Sequence, residues 1–286
     1  MSEFLMFLTN GLVMGGINAI SALGVSLVVG IMRVINFAHG EMYIFGGYLS
    51  YQLAVGAGIP PVLSMLCSVA AVFLGGLAVE KWLIRPTYGD EMYSLIITFI
   101  LSIILQNAAL LIFGPYPVKP PSLVFGATNI FGLFHYGNQR LLSLALAAGI
   151  IGAIMYLVRR TWFGKSVRAI SQDREMAAML GVDHLKVNMI SFGLGCALAA
   201  SAGAIIAPIF PVTPSGSGAV SLTAFVVVVL GGMGSLKGCI VGGVILGVLE
   251  NLGAAYISTD YRHIFGFIIL IGVLVLRPWG LFGKRI

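Results

Sequence analysis

The chain has 286 residues, 59% of them hydrophobic and only 9% charged, with a formal net charge of +6 and a mean hydropathy of +1.03. An ordinary soluble domain carries about 25% charged residues, so a water-facing domain with a single core is excluded, and lipid is the solvent that fits. The basic residues sit in short clusters between long uncharged runs, which excludes a nucleic-acid surface and matches the clusters that orient membrane proteins.

The start, Met1 to Leu5, lacks the basic segment of a cleaved signal peptide, and the apolar run 4–30 is too long for one, so it is read as a retained span. Uncharged runs follow at 42–79, 92–118, 141–158 and 187–236, with a weaker region at 238–276 interrupted by Glu250, Asp260 and Arg262. Turn residues at 56–61 and 211–218 split the two longest runs. The predicted spans are 4–30, 38–56, 61–79, 94–113, 141–158, 187–209, 220–236, 238–256 and 263–277. The runs are continuous rather than alternating and exceed the roughly 10 residues of a barrel strand. The fold class expected is therefore an all-α polytopic membrane protein, a bundle of about 8–9 transmembrane helices with Gly-interrupted, discontinuous segments. The chain reads as a single domain, 1–286.

Orientation follows from basic residues. With the 159–186 loop inside, the inner side holds Arg33, Lys81, Arg85, Arg159, Arg160, Lys165, Arg168, Arg174, Lys186, Lys237, Arg277, Lys284 and Arg285; the outer side holds Lys119, Arg140 and Arg262. The N-terminus is then outside, the C-terminus inside, and 114–140 is the largest external loop. Cys67, Cys196 and Cys239 lie in apolar runs and are expected to be buried packing residues rather than a disulfide framework. The histidines His39, His135, His184 and His263 share no metal-ligand spacing, there is no P-loop, and no catalytic set converges, so neither a metal nor an ATP site is expected in this chain.

Three segments carry information. Asn36, Phe37, Ala38, His39, Gly40 and Glu41 place polar groups between two apolar spans. Polar groups at membrane depth are costly and face a cavity or a partner; the competing reading is a solvated turn at the interface. Gly231, Gly232, Met233 and Gly234 interrupt a second apolar run, either as a discontinuous element by the transport path or as close packing through small residues. A pair of interrupted segments points to internal repeats with a site between them. The third is the charged loop 159–186, in which 166–180 reads as one short amphipathic helix with Val167, Ile170, Met176, Ala177 and Leu180 on its apolar face and Gly181 as its stop. It is either a helix on the membrane surface or a docking helix; its mixed charge at Asp173, Arg174 and Glu175 fits a protein partner better.

Together these segments resemble the permease subunits of branched-chain (hydrophobic) amino-acid ABC importers, the Liv-type family. The resemblance lies in Gly16 to Gly24, Ile35 to Glu41, Arg168-Ala169 through Gly181, Leu230 to Ser235 and Arg277 to Gly283, in that order along nearly the whole chain. It implies a non-catalytic subunit in a bacterial-type inner membrane, forming half of a translocation path. It implies as partners a second related permease, two cytoplasmic ATPases that bind the ATP, and a soluble substrate-binding protein. On this reading Asn36, Phe37, His39, Gly40, Glu41, Gly231, Gly232, Met233 and Gly234 belong to the path and its helix breaks. Arg168, Asp173, Glu175, Ala177, Ala178 and Gly181 couple to the ATPases. The 36–41 and 231–234 segments are expected to approach one another, with Phe37 and Met233 as apolar contacts and Asn36 and His39 holding broken backbone. Cargo of urea, short amides or aromatic acids stays open, as do a stand-alone channel or secondary transporter and a membrane enzyme. Against the carrier, only Glu41 and Glu250 are candidate ionisable residues at membrane depth, and both are read near span ends or a Gly-rich turn.

Overall fold

A computed structural model describes residues 2–130, 134–257 and 262–283. Asp260, Lys284 and Arg285, and the side chains of Arg262 and His263, lie outside what is described. The chain folds as helices α1 (Ser2–Met32), α2 (His39–Tyr51), α3 (Pro61–Val79), α4 (Glu91–Phe113), α5 (Asn138–Arg160), α6 (Trp162–Gln172), α7 (Arg174–Met179), α8 (His184–Ile206), α9 (Ser217–Gly231), α10 (Leu236–Tyr256) and α11 (Arg262–Leu276). α2 runs on into a π-helical turn at Gln52–Gly56, and α3 into a π-helical turn at Glu80–Ile84 and a 3-10 turn at Arg85–Thr87. Among the described residues, 7 helical stretches are long and apolar enough to cross a membrane; α11 is apolar but shorter, and α2 is shorter still. The polytopic all-α architecture is as the composition required.

The helix starts are set by local chemistry. A helix leaves its first N–H groups without intrahelical acceptors, and a short polar side chain at the N-cap supplies one. Asp90 accepts from Tyr93 N for α4, Thr161 from Gly164 N for α6, Asp173 from Met176 N for α7, Asp183 from Lys186 N for α8 and Ser235 from Gly238 N for α10. The 114–140 segment contains one feature the sequence did not announce, a hairpin of β1 (Ala127–Ile130) and β2 (Phe134–Gly137), paired antiparallel with Ala127 opposite Gly137.

α1 is the central staff, packed against α10, α8, α5 and α9. Apolar attraction between helices is weak in lipid, so close approach through small residues does the work. Gly11 and Gly15 of α1 meet α10: a Cβ at Gly11 would lie 2.7 Å from Val248 Cα, and one at Gly15 would lie 2.8 Å from Val244 Cα. One expectation fails on the outside of the bundle. Cys196 and Cys239 are buried, but Cys67 is exposed on α3, because that face of α3 has no neighbouring helix in the single chain.

Candidate functional site

The polar segment between α1 and α2 is not a solvated turn. α1 ends at Met32, Arg33 turns the chain with φ 55°, and residues 33–38 carry no helical backbone until α2 begins at His39. His39 Nε2 lies 3.0 Å from Ser21 O and 3.2 Å from Ser21 Oγ. Ser21 is eleven residues before Met32, about 16 Å at 1.5 Å per residue, so the chain has turned back about half of a ~30 Å hydrocarbon core. Two neighbours report the same depth. Gly40 N donates to Ser221 Oγ at 2.9 Å, and Ser221 is ten residues before the end of α9; Ser102 Oγ donates to Glu41 Oε1 at 2.8 Å, and Ser102 is eleven residues after the start of α4.

At that depth each freed backbone group needs a partner. Asn36 Oδ1 accepts from Ala38 N at 3.0 Å, Thr98 Oγ1 donates to Ile35 O at 3.1 Å, and Ser221 Oγ lies 3.4 Å from Phe37 O. Phe37, half-buried, sits between Phe99 and Phe225 at centroid distances of 6.0 and 5.7 Å. Asn36, His39 and Glu41 are all buried. Gly40 is pressed so closely on the Ser217 carbonyl and the Ser221 hydroxyl that no side chain fits. Beside the break, Ser21 faces a cavity of ≈150 Å³ that Asn18, Tyr43, Thr223 and Glu250 also line. Glu250 is buried inside α10, six residues from its end, and Glu41 lies at mid-depth; neither is at the rim of the bundle.

The second glycine segment is built differently. α9 stops at Gly231 and α10 starts at Leu236, so 232–235 is a tight turn between two helices rather than a break within one. Gly232 and Gly234 have φ 98° and 78°, values that only glycine adopts freely. The end of α9 is closed by the C-terminal turn: Leu281 N donates to Leu230 O at 2.9 Å and Phe282 N to Gly231 O at 3.0 Å. Met233 is 70% exposed. The expected meeting of 36–41 with 231–234 does not occur. Gly40 touches α9 at Ser217 and Ser221, about 15 Å along the helix from Gly231, and 231–234 packs instead on Gly30, Gly238 and residues 279–283. Only the first segment is a broken span, so the pairing of two broken spans also falls away.

The 159–186 loop forms two helices, not one. Asp173 is extended (φ −153°, ψ 112°) and its carboxylate caps α7, which resets the helical phase. Val167, Ile170 and Ala177 are buried as expected, but Met176 is 55% exposed and Leu180 80%, joining Met179 at 80% on the outer surface. Gly181 ends the segment with φ 82°. Arg168 reaches back to donate to the Val158 carbonyl at the end of α5, fastening α6 to a long helix. Asp173, Glu175 and Ala178 are exposed. The carboxyl of Asp183, which caps α8, titrates below its ordinary value because Lys186 N and the Lys186 ammonium both bond it.

One buried acid went unread in the sequence. Glu80 lies just past an apolar run, where 80–91 looks like a solvated connection, yet it is 0% exposed. No helical spacing flags it, because its partner Arg85 is five residues on.

Comparison with known proteins places these features in a family. The family model described as "Branched-chain amino acid transport system / permease component" matches residues 7–274. The chain is 33% identical over 300 residues to the high-affinity branched-chain amino acid transport system permease protein LivH of Salmonella typhimurium, covering 99% of this chain and 97% of that one. It is also 33% identical to BraD of Pseudomonas aeruginosa, covering 99% and 96%. LivM of Salmonella typhimurium is 26% identical, covering 92% of this chain and 67% of its own. Among solved structures, a chain of PsaBC from Streptococcus pneumoniae in complex with Fab shares the fold, with TM-score 0.52, 13% identity and coverage of 95% and 94%.

Proposed function

The chain belongs to the family of branched-chain amino acid transport system permease components, and from that premise we propose that it is one permease half of an ATP-driven importer of branched-chain amino acids. The observation that carries the mechanism is the break at 33–38. Backbone opened at mid-membrane is tolerated only against protein or a watery cavity, and here packed protein and a cavity with polar lining are both present. Phe37, Phe99 and Phe225 supply apolar wall, and the cavity beside Ser21 supplies polar groups at the same depth. A hydrophobic amino acid needs both. Asn36, His39 and Gly40 act as scaffold: Asn36 Oδ1 and His39 Nε2 already bond backbone, and Gly40 N bonds Ser221. Phe37 is the path residue of the segment. Gly231 to Gly234 form the turn that lets α9 and α10 pack closely, away from the wall.

α6 and α7 are the contact for a cytoplasmic ATPase. Met176, Met179 and Leu180 offer an apolar knob, rimmed by Asp173, Arg174 and Glu175. Apolar centre with charged rim is the anatomy of a protein interface. A second, related permease completes the path, and a soluble binding protein delivers cargo at the opposite face. The importer sits in the inner membrane with the N-terminus outside and the C-terminus in the cytoplasm, the orientation set by the basic residues of 159–186. ATP stays on the partner subunits.

The test is uptake into proteoliposomes holding this chain, its permease partner and the ATPases, with the binding protein added. Labelled leucine, isoleucine and valine should enter only with ATP, and urea, short amides and aromatic acids should not compete. Uptake driven by an ion gradient without ATP would make the chain a secondary transporter and end this reading.

A further inference from the structure

The joint between α3, α4, α7 and α8 holds an ionic network, centred on the buried Glu80, that the path does not use. Glu80 opens the π-helical turn at the end of α3. In an α-helix, residues three and four apart share a face, and a residue five on points elsewhere. The wider π-turn, with Arg85 N bonded to Glu80 O, swings Arg85 back over Glu80. Arg85 Nη2 then lies 3.1 Å from Glu80 Oε2. The other carboxylate oxygen, Oε1, accepts from the Tyr88 hydroxyl at 2.5 Å. Such π-turns are rare and often mark functional sites.

Three residues of the turn each reach a different element. Arg85 Nη2 lies 3.6 Å from Met189 Sδ on α8. Thr87 Oγ1 and Ser94 Oγ, 2.5 Å apart, tie the turn to α4. The Tyr88 ring carries the Arg174 guanidinium, 5.6 Å from its centroid, and Arg174 is the first residue of α7. A buried carboxylate is held only by good partners, and removing one is strongly destabilising. Tyr88 is therefore the residue through which α7 touches a charge that cannot easily be left alone. Burial and the Glu80 carboxylate push the Tyr88 phenol above its ordinary value, so it stays a donor.

The joint also contains the parts of a second arrangement. Arg85 Nε and Asn188 Oδ1 are both buried and lack a hydrogen-bond partner. One is a donor and the other an acceptor, on elements already in contact through Met189. An unpaired donor and an unpaired acceptor at one joint leave room for a second packing of α8 against the 80–88 turn. Coupling needs such an element with two packings, biased from both ends.

We propose that Tyr88 is a positioning residue for energy coupling, clamping α7 onto the Glu80–Arg85 pair so that movement of α7 is delivered to α3, α4 and α8 together. The proposal rests on the reading of α6–α7 as the ATPase contact. It adds that Tyr88, half-buried behind Arg174, sets how much of an ATPase movement reaches the spans.

The test uses the complete reconstituted importer and reads the ratio of binding-protein-stimulated to basal ATP hydrolysis, alongside leucine uptake. Tyr88→Leu should lower that ratio at least about 5-fold, the low end of couplings between protein sites, with basal hydrolysis kept, and Arg174→Gln should lower the ratio to the same extent. The double variant should be no worse than either single one, and Arg174→Lys, which keeps a cation over the ring, should regain most of the ratio. A merely structural clamp would lower the melting temperature or assembly and leave the ratio intact, and that result overturns the proposal. So do additive losses in the double variant. If Tyr88→Leu does not assemble, Tyr88→Phe decides: it keeps the ring, removes the donor to Glu80, and should still lower the ratio, while a wild-type ratio refutes the clamp. Crosslinking from Met179→Cys to the ATPase separates the two readings. Crosslinks with an unchanged ratio in the Tyr88 variants sink the clamp alone, and absence of the crosslink with Tyr88 and Arg174 intact sinks the docking contact beneath it.

Discussion

Gly40→Ala is the sharpest test of the broken span. The added methyl would meet the Ser217 carbonyl oxygen and the Ser221 hydroxyl at less than contact distance, and would sit 2.9 Å from the Ser217 carbonyl carbon, where ordinary contact begins near 3.4 Å. α2 and α9 must part by about 1 Å, and overpacking of this kind costs typically about 1–3 kcal/mol. The separation also stretches the 2.9 Å bond from Gly40 N to Ser221 Oγ. Gly40 lies in the first turn of α2, where the helix itself supplies no acceptor, and an unsatisfied buried donor costs about 1–3 kcal/mol. The helix propensity of alanine returns about 1 kcal/mol. A net loss of about 1–5 kcal/mol is expected, with uptake falling in step because Phe37 is anchored by the same contact. Gly75→Ala is the control: it is helical and exposed, with nothing within 4 Å of the new methyl, so it should be neutral or slightly stabilising. Thermal unfolding of the purified complex and leucine uptake read both variants. If Gly40→Ala melts and transports like the unaltered protein, α2 does not begin at mid-membrane against α9.

The remaining outcomes are simpler. Asp173→Lys combined with Glu175→Lys reverses the rim of α7 and removes its N-cap, worth about 0.5–2 kcal/mol; uptake and stimulated ATP hydrolysis should fall while the chain stays in the membrane. On a background free of Cys67, Cys196 and Cys239, a single cysteine at Asn129 should react with an impermeant thiol reagent in intact cells, and one at Gln172 only after permeabilisation; the reverse pattern inverts the topology. Gly232→Val meets the backbone of Gly283 at 2.5 Å and a φ of 98°, so it should unseat the C-terminal turn and lower the melting temperature, whereas a variant that blocks uptake with unchanged stability would return the 231–234 turn to the path.

The 159–186 loop shows how far a linear pattern reaches. Its amphipathic character was legible from Val167 through Leu180, because apolar spacing within a helix is local. The placement of Met176 and Leu180 was not, since Asp173 has two uses: a charged surface residue, or a cap that ends one helix and begins another. The capping bond to Met176 N decides it, and everything beyond it turns outward. Likewise the polar run 36–41 stood out as anomalous between two spans, while the choice between solvated turn and buried break waited on Ser21, Ser102 and Ser221, residues 18 to 181 positions away in sequence for the bonds to Ser21 and Ser221.

Hydropathy by itself determined the number and order of apolar segments and the all-α class, because in lipid each span must satisfy its own backbone, and that demand is written within about 20 consecutive residues. Tertiary structure decided everything that depends on depth and company. It drew 33–38 back to mid-membrane, left Cys67 on an uncovered face, set 231–234 at the far end of α9, and buried Glu80 beside an arginine five residues away. Those outcomes belong to contacts between distant segments: whether a charge is buried, a glycine crowded or a cysteine bare is a property of the neighbour, and the neighbour is chosen only when the helices pack.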